Sequence, residues 1–274
     1  ITMGLPEGNY LDLNNTLKLH YHDQGEGIPV LFVHGSGPGA SGWSNFKGNT
    51  PYFNQHGYRT LIPDLPGYGY SSKPEDAEYT LSFMVEALEQ MLQLLNIPRV
   101  ALVGNSMGGA VCIRMALNNP DLVHKLILMA PGGLEEREVY MEMAGIQSMM
   151  RTFFGKKGIT KEGMLETFKL QLFNEDLITD AIIDERYEIA VTQPKTVIST
   201  MRVPNQTEQL KDIACPILGF WGMDDQFCPP TGATTLAERC RDIRMNLISE
   251  CGHWVMVEHA ATFNQECVDF LNEE

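Results

Sequence analysis

The stretch Val100-Ala101-Leu102-Val103-Gly104-Asn105-Ser106-Met107-Gly108-Gly109 constrains this chain more than any other. An apolar run with strand character leads in, and residues 110–117 lead out with helical character. A strand that becomes a helix within so few residues needs a very tight turn. Glycines at 104, 108 and 109 remove the side chains that would block it. The apex residue, Ser106, is then held in a strained backbone conformation that lifts its hydroxyl clear of the sheet. The N–H groups that follow open a helix N-terminus, where negative charge is favoured. The pattern predicts a serine nucleophile backed by amides that can stabilise an oxyanion.

A serine hydroxyl attacks poorly until a base takes its proton, and the base needs an orienting acid. In a serine hydrolase built on a strand–turn–helix, the chain order is serine, acid, histidine. His253, in Glu250-Cys251-Gly252-His253-Trp254, follows the last strand signal. The acid lies in Trp221-Gly222-Met223-Asp224-Asp225-Gln226-Phe227-Cys228-Pro229, just past the preceding one. Loops at the carboxyl ends of parallel strands are where open sheets place their sites. His34, His124 and His259 lack either the position or the order. Asp224 and Asp225 both qualify; one is expected to face the imidazole and the other to cap the turn.

A second signature, His34-Gly35-Ser36-Gly37-Pro38-Gly39-Ala40, follows the first core strand. It supplies one oxyanion donor, and the residue after the nucleophile supplies the other. These are the backbone N–H groups of Ser36 and Met107, with Gly35 and Gly37 letting the main chain approach the developing charge. No G-K-[ST] follows, so this is not a phosphate loop, and a proline breaks the dinucleotide spacing. Asp64, in Asp64-Leu65-Pro66-Gly67-Tyr68-Gly69-Tyr70-Ser71, reads as a structural turn, because the serine, acid and histidine are complete without it.

Along the chain, residues 10–13 and 17–22 read as a hairpin around Asn14-Asn15, with His20 and His22 on one solvated strand face. Short runs at 29–33, 58–62, 100–103, 126–129, 216–221 and 245–248, apolar on both faces, suit strands of a buried parallel sheet. Residues 81–95 carry helical spacing up to the stop at Pro98. Between about 134 and 207 the alternation breaks into a helical, Met-rich stretch. The class is therefore α/β, a mostly parallel central sheet flanked by helices. Residues 1–133 and 208–274 form the core, and 134–207 form an inserted α-helical lid. The methionines of that segment (Met141, Met143, Met149, Met150 and Met164) either fill a core or line an adaptable apolar pocket.

Within the lid segment, helical spacing puts Ile182, Ile183, Ile189 and Ala190 on one stripe, with Arg186 in its middle. Asp184, Glu185 and Glu188 point elsewhere. A guanidinium inside an apolar face wants a buried anion. The candidates are a core carboxylate, or a substrate carboxylate held in bidentate fashion; the alternative is a side chain that snorkels to solvent at the lid's edge. The 35 acidic against 20 basic residues give a net charge of −15, which argues against nucleic acid and anionic membranes. An anionic substrate would then need a local cation such as Arg186. The six cysteines show no C-x-x-C spacing and read as reduced thiols. No signal peptide and no run of eighteen apolar residues is seen, so a cytoplasmic location is expected.

Together these residues resemble the meta-cleavage-product hydrolases of the α/β-hydrolase superfamily. Those enzymes break a carbon–carbon bond in 2-hydroxy-6-oxo-hexa-2,4-dienoates made by aromatic ring opening. The stretches carrying the likeness are His34 through Phe46, Gly104-Asn105-Ser106-Met107-Gly108-Gly109, Gly222-Met223-Asp224-Asp225-Gln226-Phe227 and Cys251-Gly252-His253-Trp254. The resemblance selects Asp225 as the acid partner of Ser106 and His253. It also implies substrate-contacting roles for Asn45, Asn105, Phe227 and Trp254, and a carboxylate-binding role for an arginine in the segment of Arg186. It implies a small anionic substrate and no metal or organic cofactor. A homo-oligomer, as is common for soluble enzymes, is expected. A carboxylesterase or lactonase would use the same triad, without need of Arg186. A hydrolase-fold receptor that keeps the pocket but turns over poorly is the non-enzymatic alternative. The group on the 6-oxo carbon is not readable from the sequence.

Overall fold

The apolar runs become the inner strands of one eight-stranded sheet. In the computed structural model, which describes residues 4–14 and 16–274, the chain opens with β1 (Asn9–Asp12) and β2 (Lys18–Gln24), then β3 (Ile28–Val33). Helices α1 (Gly42–Phe46) and α2 (Thr50–Gln55) precede β4 (Tyr58–Pro63), and α3 (Leu81–Leu94) precedes β5 (Val100–Asn105). Next come α4 (Met107–Asn118) and β6 (Val123–Met129). Five helices follow before the next strand: α5 (Arg137–Met141), α6 (Ala144–Phe154), α7 (Lys161–Gln171), α8 (Asp180–Ala190) and α9 (Thr196–Ser199). The chain then returns through β7 (Ile217–Gly222), α10 (Thr231–Arg239), β8 (Ile243–Ile248), α11 (Val255–Glu258) and α12 (Ala260–Asn272).

The sheet order is β1-β2-β4-β3-β5-β6-β7-β8. The first two pairings are antiparallel and the other five parallel. Successive side chains of a strand face opposite ways, so the inner strands feed two cores. Leu31, Val33, Leu102 and Leu128 face one, with Leu88 of α3, Val111 of α4 and Leu236 of α10. Val30, Phe32, Val103 and Ile127 face the other, with Phe46, Phe53, Phe263 and Val268. The helices between β6 and β7 join both: Met149, Phe153 and Ile198 the first, and Met164, Phe168 and Ile183 the second.

Two details differ from expectation. The hairpin forms (its turn residue Asn15 lies outside the described residues), but His20 and His22 are buried rather than solvated. The face of β2 that carries them is covered: His20 Nδ1 meets Asp64 Oδ2 at 2.8 Å, and the His22 ring packs 5.4 Å from that of Trp43. Burial, with His20 beside it, holds the His22 pKa below the ordinary imidazole value. The last strand begins at Ile243 and is an edge strand with Leu247 exposed, so it is not apolar on both faces. The second half of the glycine-rich stretch is a helix, α1, capped reciprocally by Ser41 and Ser44. All six cysteines are free and buried. Among the described residues no helix is long and apolar enough to cross a membrane, and no cluster of His, Cys, Asp and Glu is placed to hold a metal.

Candidate active site

Ser106 sits between β5 and α4 with φ 55° and ψ −121°, a left-handed conformation that costs a non-glycine residue about 1–3 kcal/mol. The surroundings enforce it. A β-carbon on Gly108 would lie 2.1 Å from the Val33 carbonyl oxygen, and one on Gly104 would lie 2.6 Å from that of Gly108. Only glycine lets α4 dock this closely under β3. The Ser106 N–H donates to Met129 O at 3.1 Å, and its carbonyl accepts from Gly132 N at 2.9 Å, so the end of β6 and the turn after it pin the elbow.

Asp225 and His253 meet where the acid and histidine loops cross the carboxyl ends of β7 and β8. The His253 Nδ1 to Asp225 Oδ2 distance is 2.7 Å, and both side chains are buried. The other carboxylate oxygen of Asp225 accepts from Phe227 N at 2.8 Å and Cys228 N at 2.9 Å. Of the paired aspartates, Asp225 turns its carboxylate inward to the imidazole, whereas Asp224 donates its backbone N–H to Cys251 O at 2.9 Å. With Nδ1 occupied, Nε2 is the imidazole nitrogen left for the cleft, which Ser106 and His253 line together. Among the described residues Ser106 Oγ makes no hydrogen bond to the imidazole. Cys228 lines the same cleft, and burial with the nearby Asp225 pushes its thiol pKa well up, so that sulfur stays protonated. Unliganded sites commonly tighten the serine–imidazole contact only when substrate enters.

The N–H groups of Ser36 and Met107 have no acceptor among the described residues. Both residues flank Ser106. Gly35 brings its loop close, since a β-carbon there would sit 3.2 Å from Ser106 Cβ. His34 braces the loop from below: Nδ1 donates to Gly35 O at 2.7 Å and Nε2 accepts from Leu65 N at 3.0 Å. Accepting at Nε2 requires a neutral ring, and burial lowers its pKa to about 4. Asp64 ties α1 to the same scaffold through Gly42 N (2.8 Å) and Tyr70 N (2.9 Å), as a structural turn would.

Two lobes meet at Ser106, Ser36, Ile146 and Met149. The narrow one, about 20 Å3, is walled by Gly35, Gly37, Asn45, Asn105, Gln171, Arg186, Phe227, His253 and Trp254. The wide one, about 330 Å3, is lined by Met107, Met141, Met150, Ile198, Met201 and Val203, with Arg137, Glu136 and Asn205 among its polar residues. The methionines thus divide: Met164 fills a core, whereas Met141, Met149 and Met150 line the cavity.

Arg186 on α8 is only 2% exposed and lies over the Trp254 ring at 4.5 Å. Its Nη2 donates to Asn45 Oδ1 at 2.8 Å; its buried Nη1 has no partner among the described residues. No carboxylate pairs with it among the described residues, and the neighbouring Glu185 is taken by Lys47 at 2.8 Å. Burial lowers its pKa to about 10, which still leaves it charged at neutral pH. A desolvated cation–π contact returns roughly 2 kcal/mol. Burying the charge costs several. The guanidinium is therefore short of an anion.

All twelve residues singled out from the sequence line or abut this cleft, with Phe227 stacked on His253 at 5.1 Å. Two others were not foreseen. Gln171 closes α7, is 2% exposed, and its carbonyl accepts from His253 N at 2.8 Å and Trp254 N at 3.3 Å. It continues the buried stripe Met164, Thr167, Phe168, so the spacing that exposed Arg186 also marks it. Glu258 receives Gly252 N (2.7 Å), Phe173 N (3.0 Å) and Asn174 N (2.8 Å), locking the α7 exit to the histidine loop. Nothing local in the sequence signals that role.

The α/β hydrolase fold family matches residues 28–260. A 2-hydroxy-6-oxononadienedioate/2-hydroxy-6-oxononatrienedioate hydrolase of Comamonas testosteroni is 34% identical over 266 residues, covering 94% of this chain and 92% of the relative. A 2-hydroxy-6-oxo-6-phenylhexa-2,4-dienoate hydrolase of Burkholderia cepacia shows the same identity and coverage. The solved meta-cleavage product hydrolase of Pseudomonas fluorescens IP01 superposes with a TM-score of 0.86 at 26% identity, covering 97% of each chain.

Proposed function

The chain belongs to the meta-cleavage-product hydrolases of the α/β-hydrolase family, and from that premise we propose that it hydrolyses a carbon–carbon bond in a 2-hydroxy-6-oxo-hexa-2,4-dienoate. The observation that carries the reading is the buried Arg186, short of an anion and sharing a lobe with Ser106. An esterase of neutral substrates has no use for that charge.

The dienoate carboxylate seats against Arg186 in the narrow lobe, and the 6-substituent extends into the wide one. Protonation of the dienol at carbon gives a keto form whose fragment can leave with the electron pair of the breaking bond. Ser106, or a water activated through His253, then attacks the 6-oxo carbonyl. Asp225 holds the imidazole and stabilises its cation. The developing oxyanion accepts from the Ser36 and Met107 N–H groups, a contribution of about 3–4 kcal/mol per donor in comparable sites. Water is consumed, and the products are 2-hydroxypenta-2,4-dienoate and a carboxylic acid. On this reading residues 134–207 act as a lid whose inner side supplies Arg186 and the apolar wall. A cytoplasmic, self-associating enzyme without cofactor completes the proposal.

The test is to mix the protein with yellow 2-hydroxy-6-oxo-6-phenylhexa-2,4-dienoate and, in parallel, a nitrophenyl ester. Bleaching much faster than ester release, and reduced at least about 1,000-fold in Ser106→Ala, is expected. Fast ester cleavage with 6-phenyl, 6-methyl and 6-(2-carboxyethyl) dienolates all unbleached would reject the reading in favour of a carboxylesterase.

A further inference from the structure

The narrow lobe holds a buried donor and buried acceptors that no group among the described residues satisfies. Arg186 Nη1 is the donor; Gln171 Oε1 and Asn105 Oδ1 are the acceptors. A carboxylate can satisfy only the first. The acceptors call for a ligand that also brings an O–H, because a buried carbonyl without a partner is costly.

Position separates the two acceptors. A β-carbon built on Gly37 would lie 3.6 Å from Gln171 Nε2 and 3.8 Å from Arg186 Nη1, so the carboxamide that carries Oε1 ends in the same part of the lobe as the guanidinium. A β-carbon on Gly35 would instead lie 3.4 Å from Asn105 Oδ1 and 3.2 Å from Ser106 Cβ. Gln171 therefore belongs to the carboxylate end of the lobe and Asn105 to the serine end. The space is about 20 Å3, and about 10–15 Å3 suffices for one water. A carboxylate and the atom beside it fill it; nothing larger does.

We propose that Gln171 is the specificity-determining residue for the 2-position, its side-chain carbonyl accepting a hydrogen bond from a hydroxyl on the carbon next to the substrate carboxylate. The inference rests on the dienoate reading for its substrate but not for its test. A carboxamide suits the position because its N–H can also serve a 2-oxo group, so one side chain accommodates both tautomers that the proposed chemistry passes through. Its main chain, through His253 N and Trp254 N, holds the base in place independently of the side chain.

Binding of two probes by calorimetry to the whole protein tests this: 3-phenyllactate, which carries the hydroxyl, and 3-phenylpropionate, which lacks it. The wild type should favour the hydroxy acid by roughly tenfold, the worth of one buried hydrogen bond. In Gln171→Leu that preference should fall to near unity, while Gln171→Asn, which keeps the amide, should retain part of it. The ratio is internally normalised, since a packing defect weakens both probes alike. A wild type without preference, or a Gln171→Leu protein that loses both probes equally, would overturn the assignment and leave Gln171 as a support of the histidine loop. A clear preference in a protein that leaves every dienolate unbleached would keep the subsite and reject the carbon–carbon reaction.

Discussion

On one side of Ser106 the cleft offers about 20 Å3 walled by orphaned polar atoms; on the other it offers about 330 Å3 walled largely by methionine and aliphatic carbon. The narrow lobe is fixed by main-chain contact. The Gly39 β-carbon position lies 1.9 Å from Arg186 O, and that of Gly252 lies 2.6 Å from Gln171 O, so the glycine loop, the inserted helices and the histidine loop touch backbone to backbone. The wide lobe is built from flexible side chains, and several of its residues, Met141 among them, face solvent. A rigid polar end reads a constant part of a ligand, and a soft apolar end tolerates a variable one. Two relatives at 34% identity fit that division: the substrates in their names share the 2-hydroxy-6-oxo dienoate and differ beyond it.

The largest effect expected from breaking this division is at Arg186. Arg186→Met removes the charge and keeps the volume. It should lower kcat/KM for the dienolate by about 100-fold or more, in line with losing a buried charged partner. The same change should leave the melting temperature unchanged or raised. Replacing a buried charge by apolar packing stabilises by about 1–4 kcal/mol. Orphaning Asn45 Oδ1 returns about 1–3 kcal/mol of that. Thermal unfolding followed beside steady-state kinetics separates the cases. A drop in stability with an unchanged KM would make the guanidinium a structural group.

The polar end was the more legible of the two. The elbow, the glycine loop and the acid and histidine segments announce themselves because tight turns restrict residue type locally. Arg186 is legible because charge within an apolar helical stripe is locally anomalous. Gln171 obeys the same rule but is uncharged, so it stands out less against Thr167 and Phe168. His20 and His22 mislead for a different reason. An alternating strand reads as half-solvated, and only the tertiary fold brings Asp64, Trp43 and Tyr70 over their face. Glu258 gathers N–H groups from residues 173, 174 and 252, a convergence no local pattern encodes. The wide lobe was invisible in shape, since its walls come from the turn after β6, from α6 and from the residues around α9.

Filling the wide lobe should affect one class of substrate. Ile198→Trp places a large ring where a buried isoleucine now lines the cavity. Turnover of the 6-phenyl dienolate should fall about tenfold, because a lost apolar contact of this size is worth roughly 1–3 kcal/mol. The 6-methyl dienolate should change by less than about threefold on the same scale. Equal losses for both would mean that the 6-substituent does not occupy this lobe.

The smallest effect concerns the methionines themselves. Met150 and Met201 are half-buried and line the wide lobe, whereas Met164 is fully buried in a core and lines neither. Leucine conserves volume, so Met150→Leu with Met201→Leu should cost less than about 1.5 kcal/mol of stability. Branching stiffens the wall, however, and the ratio of 6-phenyl to 6-methyl turnover should move by about two- to threefold. Met164→Leu should leave that ratio where it was. If both variants shift it alike, or neither does, adaptability of the thioether is not what the wide lobe contributes, and its tolerance comes from volume alone.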